Sequence, residues 1–311
     1  MLRNRIACLS IVLAIILCQP FSVQADDSEI IKATKPIQFG LTAVVLRENL
    51  RFLDQWAYYL SQEIGQPVEF VRRRSYREIM DMLEAGSLDF AWICGFPYVQ
   101  NRKPEFIKLI SVPIYRGEPL YHSFIIVHKN SPYQSLDDLK GKVFAYSDPD
   151  SNSGYLYPQF LLAKKGIRKE TFFRQTFFTF SHAETVEAVA EQFADGGAVD
   201  SYIWEYLKKF QPELAKKTRV INRSPVFGFP PLVSRIGVDL ETVWQMEKVL
   251  KQMSQDPAGR KFLDGLKLDG FGEAKAGLFD NIRNMATKTK NTHPRSKAGK
   301  LTSNVNAALK E

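Results

Sequence analysis

From Pro36 onward, short apolar runs alternate with longer stretches in which apolar residues recur every three or four positions. Pro36–Thr42, Val68–Val71 and Leu88–Cys94 read as strands. Between them, Leu46–Ile64 and Tyr76–Ala85 read as helices stopped by Gly65 and Gly86. This alternation predicts a mostly parallel sheet covered on both faces. Two more strands, Phe106–Tyr115 and Ser123–Lys129, flank Arg116-Gly117-Glu118-Pro119. A second unit then begins with Leu136–Leu139 before Gly141, followed by strand Val143–Tyr146 and helix Gly154–Lys165. Strand Thr176–Phe180, helix Ala183–Phe193 and a short buried strand Gly197–Ser201 come next, and Pro230–Val238 and Leu240–Met253 close the series as strand and helix.

The chain is expected to leave one α/β lobe near residue 117 and return near 225. The division that follows is a signal peptide over 1–25, a discontinuous first lobe over 26–117 and 225–286, a second lobe over 118–224, and a basic, disordered tail over 287–311. Two crossings between lobes make a two-segment hinge with a cleft beneath it, a usual place for a ligand.

The N-terminus bears on the compartment. Arg3 and Arg5 precede the apolar run Ile11–Cys18, which is short for a membrane span, and Val23-Gln24-Ala25 offers small residues for cleavage before Asp26. A retained anchor is the alternative. Cys18 follows Ile16-Leu17, where a lipoprotein signal needs a small residue, so a soluble periplasmic protein is expected. Without the leader only Cys94 remains, which rules out an intramolecular disulfide. The formal charge of +8 sits mostly at the ends: the leader carries +2, and the last 25 residues carry six basic side chains against Glu311. A nearly neutral body argues against nucleic acid as a partner.

The segment richest in chemistry is Asp148-Pro149-Asp150-Ser151-Asn152-Ser153-Gly154. It follows a strand and opens a helix, where unpaired N–H groups and the positive end of the dipole face outward. Hydroxyls at Ser151 and Ser153, the Asn152 amide and the small Gly154 fit an anion seat with no basic side chain. The same residues fit an ordinary N-cap equally well.

Tyr121–Val127, Ser135–Lys142 and Asp148–Gly154, with Asp89–Trp92, Ser181–Glu184 and Gly197–Ser201 in the same order, resemble the periplasmic phosphate/phosphite/phosphonate-binding family over roughly residues 36–285. The resemblance implies a type II periplasmic-binding-protein fold and the role of substrate-binding component of an ABC importer. Its partners would be a small phosphorus oxyanion and an ABC permease in the inner membrane, with a monomeric chain and no cofactor. It also implies that Ser151, Asn152 and Ser153 correspond to the family's Ser-Thr-Ser cradle, Asn152 replacing Thr, and that His182 contacts the oxyanion. Tyr76 and Tyr121 match cleft tyrosines, with Tyr98 on a neighbouring loop. The two carboxylates that hold the ammonium group in the aminoethylphosphonate-binding member correspond here to Tyr202 and Pro230. Asp200, two residues before Tyr202, is placed to accept a hydrogen bond from a protonated oxyanion.

Enzymatic readings find little support. The four histidines lack metal-ligand spacing, Cys94 ends an apolar strand as a buried inert thiol would, and neither a nucleophile elbow nor a phosphate-binding Walker loop occurs. A sensory role, with the loaded protein docking on a membrane histidine kinase, is the alternative to transport. Export predicts that mass spectrometry of periplasmic material finds Asp26 at the N-terminus, whereas a retained leader or a lipid on Cys18 contradicts it.

Overall fold

The computed structural model describes residues 35–42, 50–100 and 106–292. The expected signal peptide, the start of the helix expected from Leu46 and the tail beyond Thr292 lie outside them. Strands β1 (Ile37–Leu41), β2 (Val68–Arg72), β3 (Phe90–Trp92) and β4 (Ile107–Ile114) come first along the chain. Then follow β5 (Leu120–Tyr121), β6 (Ser123–His128), β7 (Val143–Tyr146), β8 (Gln175–Phe178) and β9 (Gly196–Asp200). The last are β10 (Thr218–Arg223), β11 (Phe227–Gly228), β12 (Leu232–Arg235) and β13 (Gly270–Gly272).

These strands build two sheets, each the centre of an α/β lobe. The first runs β13-β4-β12-β3-β1-β2 and the second β10-β6-β9-β7-β8. Both are mixed, which corrects the expectation of mostly parallel sheets. β1 pairs parallel with β2 and β3, but β12 returns from the second lobe and inserts antiparallel between β3 and β4. In the second lobe β7 pairs parallel with β8 and β9, and β6 runs antiparallel to β9 and β10. A strand that re-enters a sheet after crossing from another body arrives at the end from which the chain left. Its antiparallel sense is therefore set by the connection.

The two crossing segments pair with each other. β5 and β11 form a short antiparallel ladder, Tyr121 opposite Phe227 and Leu120 opposite Gly228. Aromatic side chains pack around this hinge: Phe229 meets Tyr121, Tyr115 and Tyr202 with ring centroids 5.2–6.1 Å apart. The Trp92 indole N–H donates to the Pro230 carbonyl at 2.9 Å, tying the second crossing to the first sheet.

Residues 287–292, the first part of the expected disordered tail, are helical. A helix spans Asp280–Thr292, past residue 286, and Ile282, Met285 and Ala286 on it are buried. It packs against helix Gly95–Gln100 of the first lobe and against helix Tyr157–Lys164 of the second. Its approach is close: a Cβ on Gly228 would lie 2.7 Å from the Leu278 carbonyl and 3.0 Å from the Phe279 ring. Apolar residues at Phe279, Ile282, Met285 and Ala286 form a stripe of helical period, and their burial offsets the polar Thr, Asn and Lys on the opposite face. Replacing Ile282 with Ala removes a fully buried side chain from this junction and is expected to lower stability by about 2–4 kcal/mol in urea titration. A loss below about 0.5 kcal/mol would show the helix to be an appendage.

Candidate functional site

Strand β7 delivers the chain into the segment singled out by sequence, and the local bonding there differs from a plain helix start. Ser151 is the N-cap, its Oγ accepting the Gly154 N–H at 2.9 Å. A π-helical turn over Asn152–Leu156 follows, and the α-helix begins only at Tyr157. The expected row of free backbone donors is largely consumed. Ser151 N–H bonds the Asp148 carbonyl, Asn152 N–H bonds the Cys94 sulfur at 3.3 Å, and Gly154 N–H bonds Ser151. Gly154 is small for a reason other than ligand approach, since a Cβ there would lie 2.5 Å from Ser147 of the same lobe.

Side chains carry the donor capacity instead. Asn152 and Ser153 are almost fully buried, and Asn152 Oδ1 and Ser153 Oγ have no hydrogen-bond partner among the described residues. Buried polar atoms are nearly always paired, so two orphans on adjacent residues mark a place where a polar ligand or water would be accommodated. The Asn152 amide donates to Tyr121 Oη at 2.9 Å. Ser153 Oγ also lies near that phenol but outside normal hydrogen-bond geometry.

The second lobe adds His182. Ser181 caps helix His182–Ala190, which leaves the imidazole free of capping duty. It is buried, with Tyr76 Oη 3.4 Å from Nε2 and Ser147 Oγ 2.8 Å from Nδ1. The Asp200 backbone N–H also reaches Nδ1, at 3.1 Å. An amide can only donate, so Nδ1 carries the lone pair and Nε2 the proton. Burial pushes the imidazole down to about 3, and the ring is a neutral donor at Nε2 throughout the physiological range.

Asp200 turns its carboxylate onto the start of helix Ser201–Phe210, with Oδ1 accepting the Tyr202 N–H at 2.7 Å. Burial still pushes it up to about 7. Tyr202 is buried with its hydroxyl donating to the Leu266 carbonyl, a bond between the lobes. Tyr98 is half-buried and packs on Phe279 at 4.9 Å. The structure therefore gathers Ser151, Asn152, Ser153, Gly154, Tyr76, Tyr121, His182 and Asp200 in one place, and engages Tyr98 and Tyr202 in packing beside it.

Three participants escaped the sequence reading. Cys94 reaches across the cleft to Asn152. Asp148 accepts the N–H of Tyr76, first residue of helix Tyr76–Glu84, at 3.1 Å, and that of Asp150 at 2.7 Å. Arg77 pairs with Asp150 at 3.0 Å. Burial pushes Asp148 up to about 6, against the pull of its two N–H partners. The one signal that could have exposed Asp148 is its place beside Pro149 at the end of a strand, where a side chain turns back on its own loop.

These shifts give a pH dependence with a definite sign. A carboxyl raised on folding stabilises the folded chain while protonated, and that contribution is lost as pH rises through the folded value. His182 works oppositely: its contribution is present above the ordinary 6.5 and is lost as pH falls toward about 3. Asp148, raised to about 6, completes its change first, and Asp200, raised to about 7, carries the loss to higher pH. Asp200→Asn keeps a capping oxygen but cannot ionise. Thermal melts of ligand-free protein are expected to show the variant gaining on the wild type as pH rises from about 5 to 8, by roughly 2–4 kcal/mol at the top of the range. Parallel curves would mean that Asp200 does not titrate there.

Among the described residues no helix is long and apolar enough to cross a membrane, and no group of His, Cys, Asp or Glu is arranged to hold a metal ion. A phosphonates-binding periplasmic protein of Escherichia coli (strain K12) is 26% identical over 243 residues, covering 75% of this chain and 70% of that protein. A probable ABC transporter phosphite binding protein of Prochlorococcus marinus (strain MIT 9301) is 26% identical over 245 residues, 74% of this chain and 81% of that one. The crystal structure of a binding protein component of an ABC phosphonate transporter from Pseudomonas aeruginosa superposes with a TM-score of 0.77 at 25% identity, over 83% of this chain and 87% of the other. The two-lobed architecture is thus the type II periplasmic-binding-protein fold. The family model described as ABC transporter, phosphonate, periplasmic substrate-binding protein matches residues 39–278, and the chain belongs to that family.

Proposed function

We propose that the protein captures a small phosphorus oxyanion between its lobes and delivers it, as a soluble monomer, to an ABC permease of the inner membrane. The observation that carries this reading is the buried, unpartnered hydroxyl of Ser153, beside two phenols and a neutral imidazole with its proton on Nε2. Ser151, Ser153, Tyr76, Tyr121 and His182 each offer a proton to a tetrahedral anion, and a densely donating, cation-free seat suits a compact group with several acceptor oxygens. Asp200 faces the same cluster and, when protonated, can donate as well.

The far end of the seat argues for a ligand without an amine. A buried ammonium needs a paired carboxylate, and leaving it unpaired costs several kcal/mol. The positions that correspond to such carboxylates are Tyr202, whose hydroxyl is engaged by Leu266, and Pro230, whose carbonyl is engaged by Trp92. Phe227 and Phe229 wall the hinge beside them.

Calorimetry on protein stripped of any co-purified anion tests both parts. Phosphate, phosphite or methylphosphonate is expected to bind at least about ten-fold more tightly than 2-aminoethylphosphonate, and Ser153→Ala to weaken that binding about ten-fold with the fold unchanged. Tighter binding of the amino compound would refute the selectivity, and wild-type affinity in the Ser153 variant would refute the seat.

A further inference from the structure

Cys94 lies among the donors of the site and itself offers an anion almost nothing. It lies between β3 and helix Gly95–Gln100 of the first lobe, 2% exposed. Its sulfur accepts the Asn152 N–H across the cleft and the Phe96 N–H from its own turn. The thiol sits close enough to Tyr76 and Tyr121 to influence both phenols. Burial, with Asp200 and Asp148 nearby, pushes it up to about 12, so the sulfur keeps its proton. A thiol is a weak donor and a polarisable, nearly apolar surface.

The neighbouring groups are all strong donors. Ser153 Oγ is buried without a partner, the Asn152 side-chain N–H2 has one proton beyond its bond to Tyr121, the phenols of Tyr76 and Tyr121 lie beside them, and His182 presents Nε2–H. The sulfur lies beside the same two phenols, so a tetrahedral anion seated on these donors would turn one of its four substituents toward it. If that substituent is oxygen, a charged acceptor is buried against a poor donor, which is costly. A P–H or P–CH3 group asks for no hydrogen bond and packs well on sulfur. Cys94 also holds the Asn152 N–H, one of the few backbone donors that a fourth oxygen would otherwise have used.

We propose that Cys94 is a selectivity-determining residue: its sulfur defines the face of the site that receives the non-oxygen substituent of phosphorus, so that phosphite and methylphosphonate are preferred to inorganic phosphate. This rests on the oxyanion reading of the site given above.

The experiment compares phosphate, phosphite and methylphosphonate by calorimetry on wild type, Cys94→Ser and Cys94→Ala, with thermal melts to establish that each variant is folded. Wild type is expected to favour the three-oxygen anions by about ten-fold or more. The serine hydroxyl is a full donor of nearly the same shape and should move the ratio toward phosphate by about ten-fold. Alanine supplies no donor and should keep the wild-type order of preference, which separates donor strength from simple loss of the sulfur. A wild type that prefers phosphate, a serine variant whose ratio stays within about two-fold of wild type, or an alanine variant that shifts as serine does would each overturn the assignment while leaving the oxyanion seat standing. Failure of all three anions to bind wild type would instead bring down the oxyanion reading and this inference with it.

Discussion

The carboxylate of Asp148 holds the molecule's working geometry. One oxygen accepts an N–H of its own turn and the other accepts the first N–H of a helix in the opposite lobe. A helix start has orphan donors and a positive dipole end, so a carboxylate is a suitable partner there. That single side chain sets residues 148–153 against helix Tyr76–Glu84. It thereby brings Tyr76 to His182, Arg77 to Asp150 and Asn152 to Cys94. The ion pair is exposed on its arginine side and adds little by itself. The buried hydrogen bonds are the stronger constraint, because breaking them strands a carboxylate away from water.

A second constraint fixes the chemistry of the imidazole. β9 ends at Asp200, whose backbone N–H points at His182 and whose side chain caps the helix that follows. One residue thus orients a donor with its main chain and starts a helix with its side chain. The sequence reading offered Asp200 as an acceptor for a protonated oxyanion and missed its capping role, although Asp is a favoured N-cap and helix Ser201–Phe210 starts directly after it. The carboxylate that looks spare in the sequence is half-committed in the structure.

Elements with strong periodicity were legible. Helix Leu240–Gln252 ends one residue before the expected Met253, and β7 spans the residues expected for it. Gly65 and Gly86 adopt φ of 77° and 74°, as helix-terminating glycines do. What escaped had a physical reason. β5 and β11 are two residues each, too short for any period, and exist because the crossings run side by side. The helix at Asp280–Thr292 runs past the expected lobe boundary at 286 because residues 287–292 read as polar tail, while the apolar stripe that anchors it lies just before them. Cys94 looked like core filler, since nothing in a sequence announces that a thiol will face a backbone amide fifty-eight positions away. In the Ser151–Gly154 segment the expected backbone donors are mostly engaged and hydroxyl and amide side chains remain, because the π-helical turn redirects the backbone.

None of the side chains that meet at this seat carries a positive charge: serine, asparagine and tyrosine are neutral, and His182 stays deprotonated. An anion approaching from solution therefore meets dipoles, whose reach is a few ångströms, instead of a field that extends over a Debye length. On the function proposed above, long-range steering by this seat would contribute little to the rate of encounter. Changes in ionic strength have little charge to screen. If the proposed capture takes place here, hydrogen bonds alone would let affinity hold from dilute medium to brine.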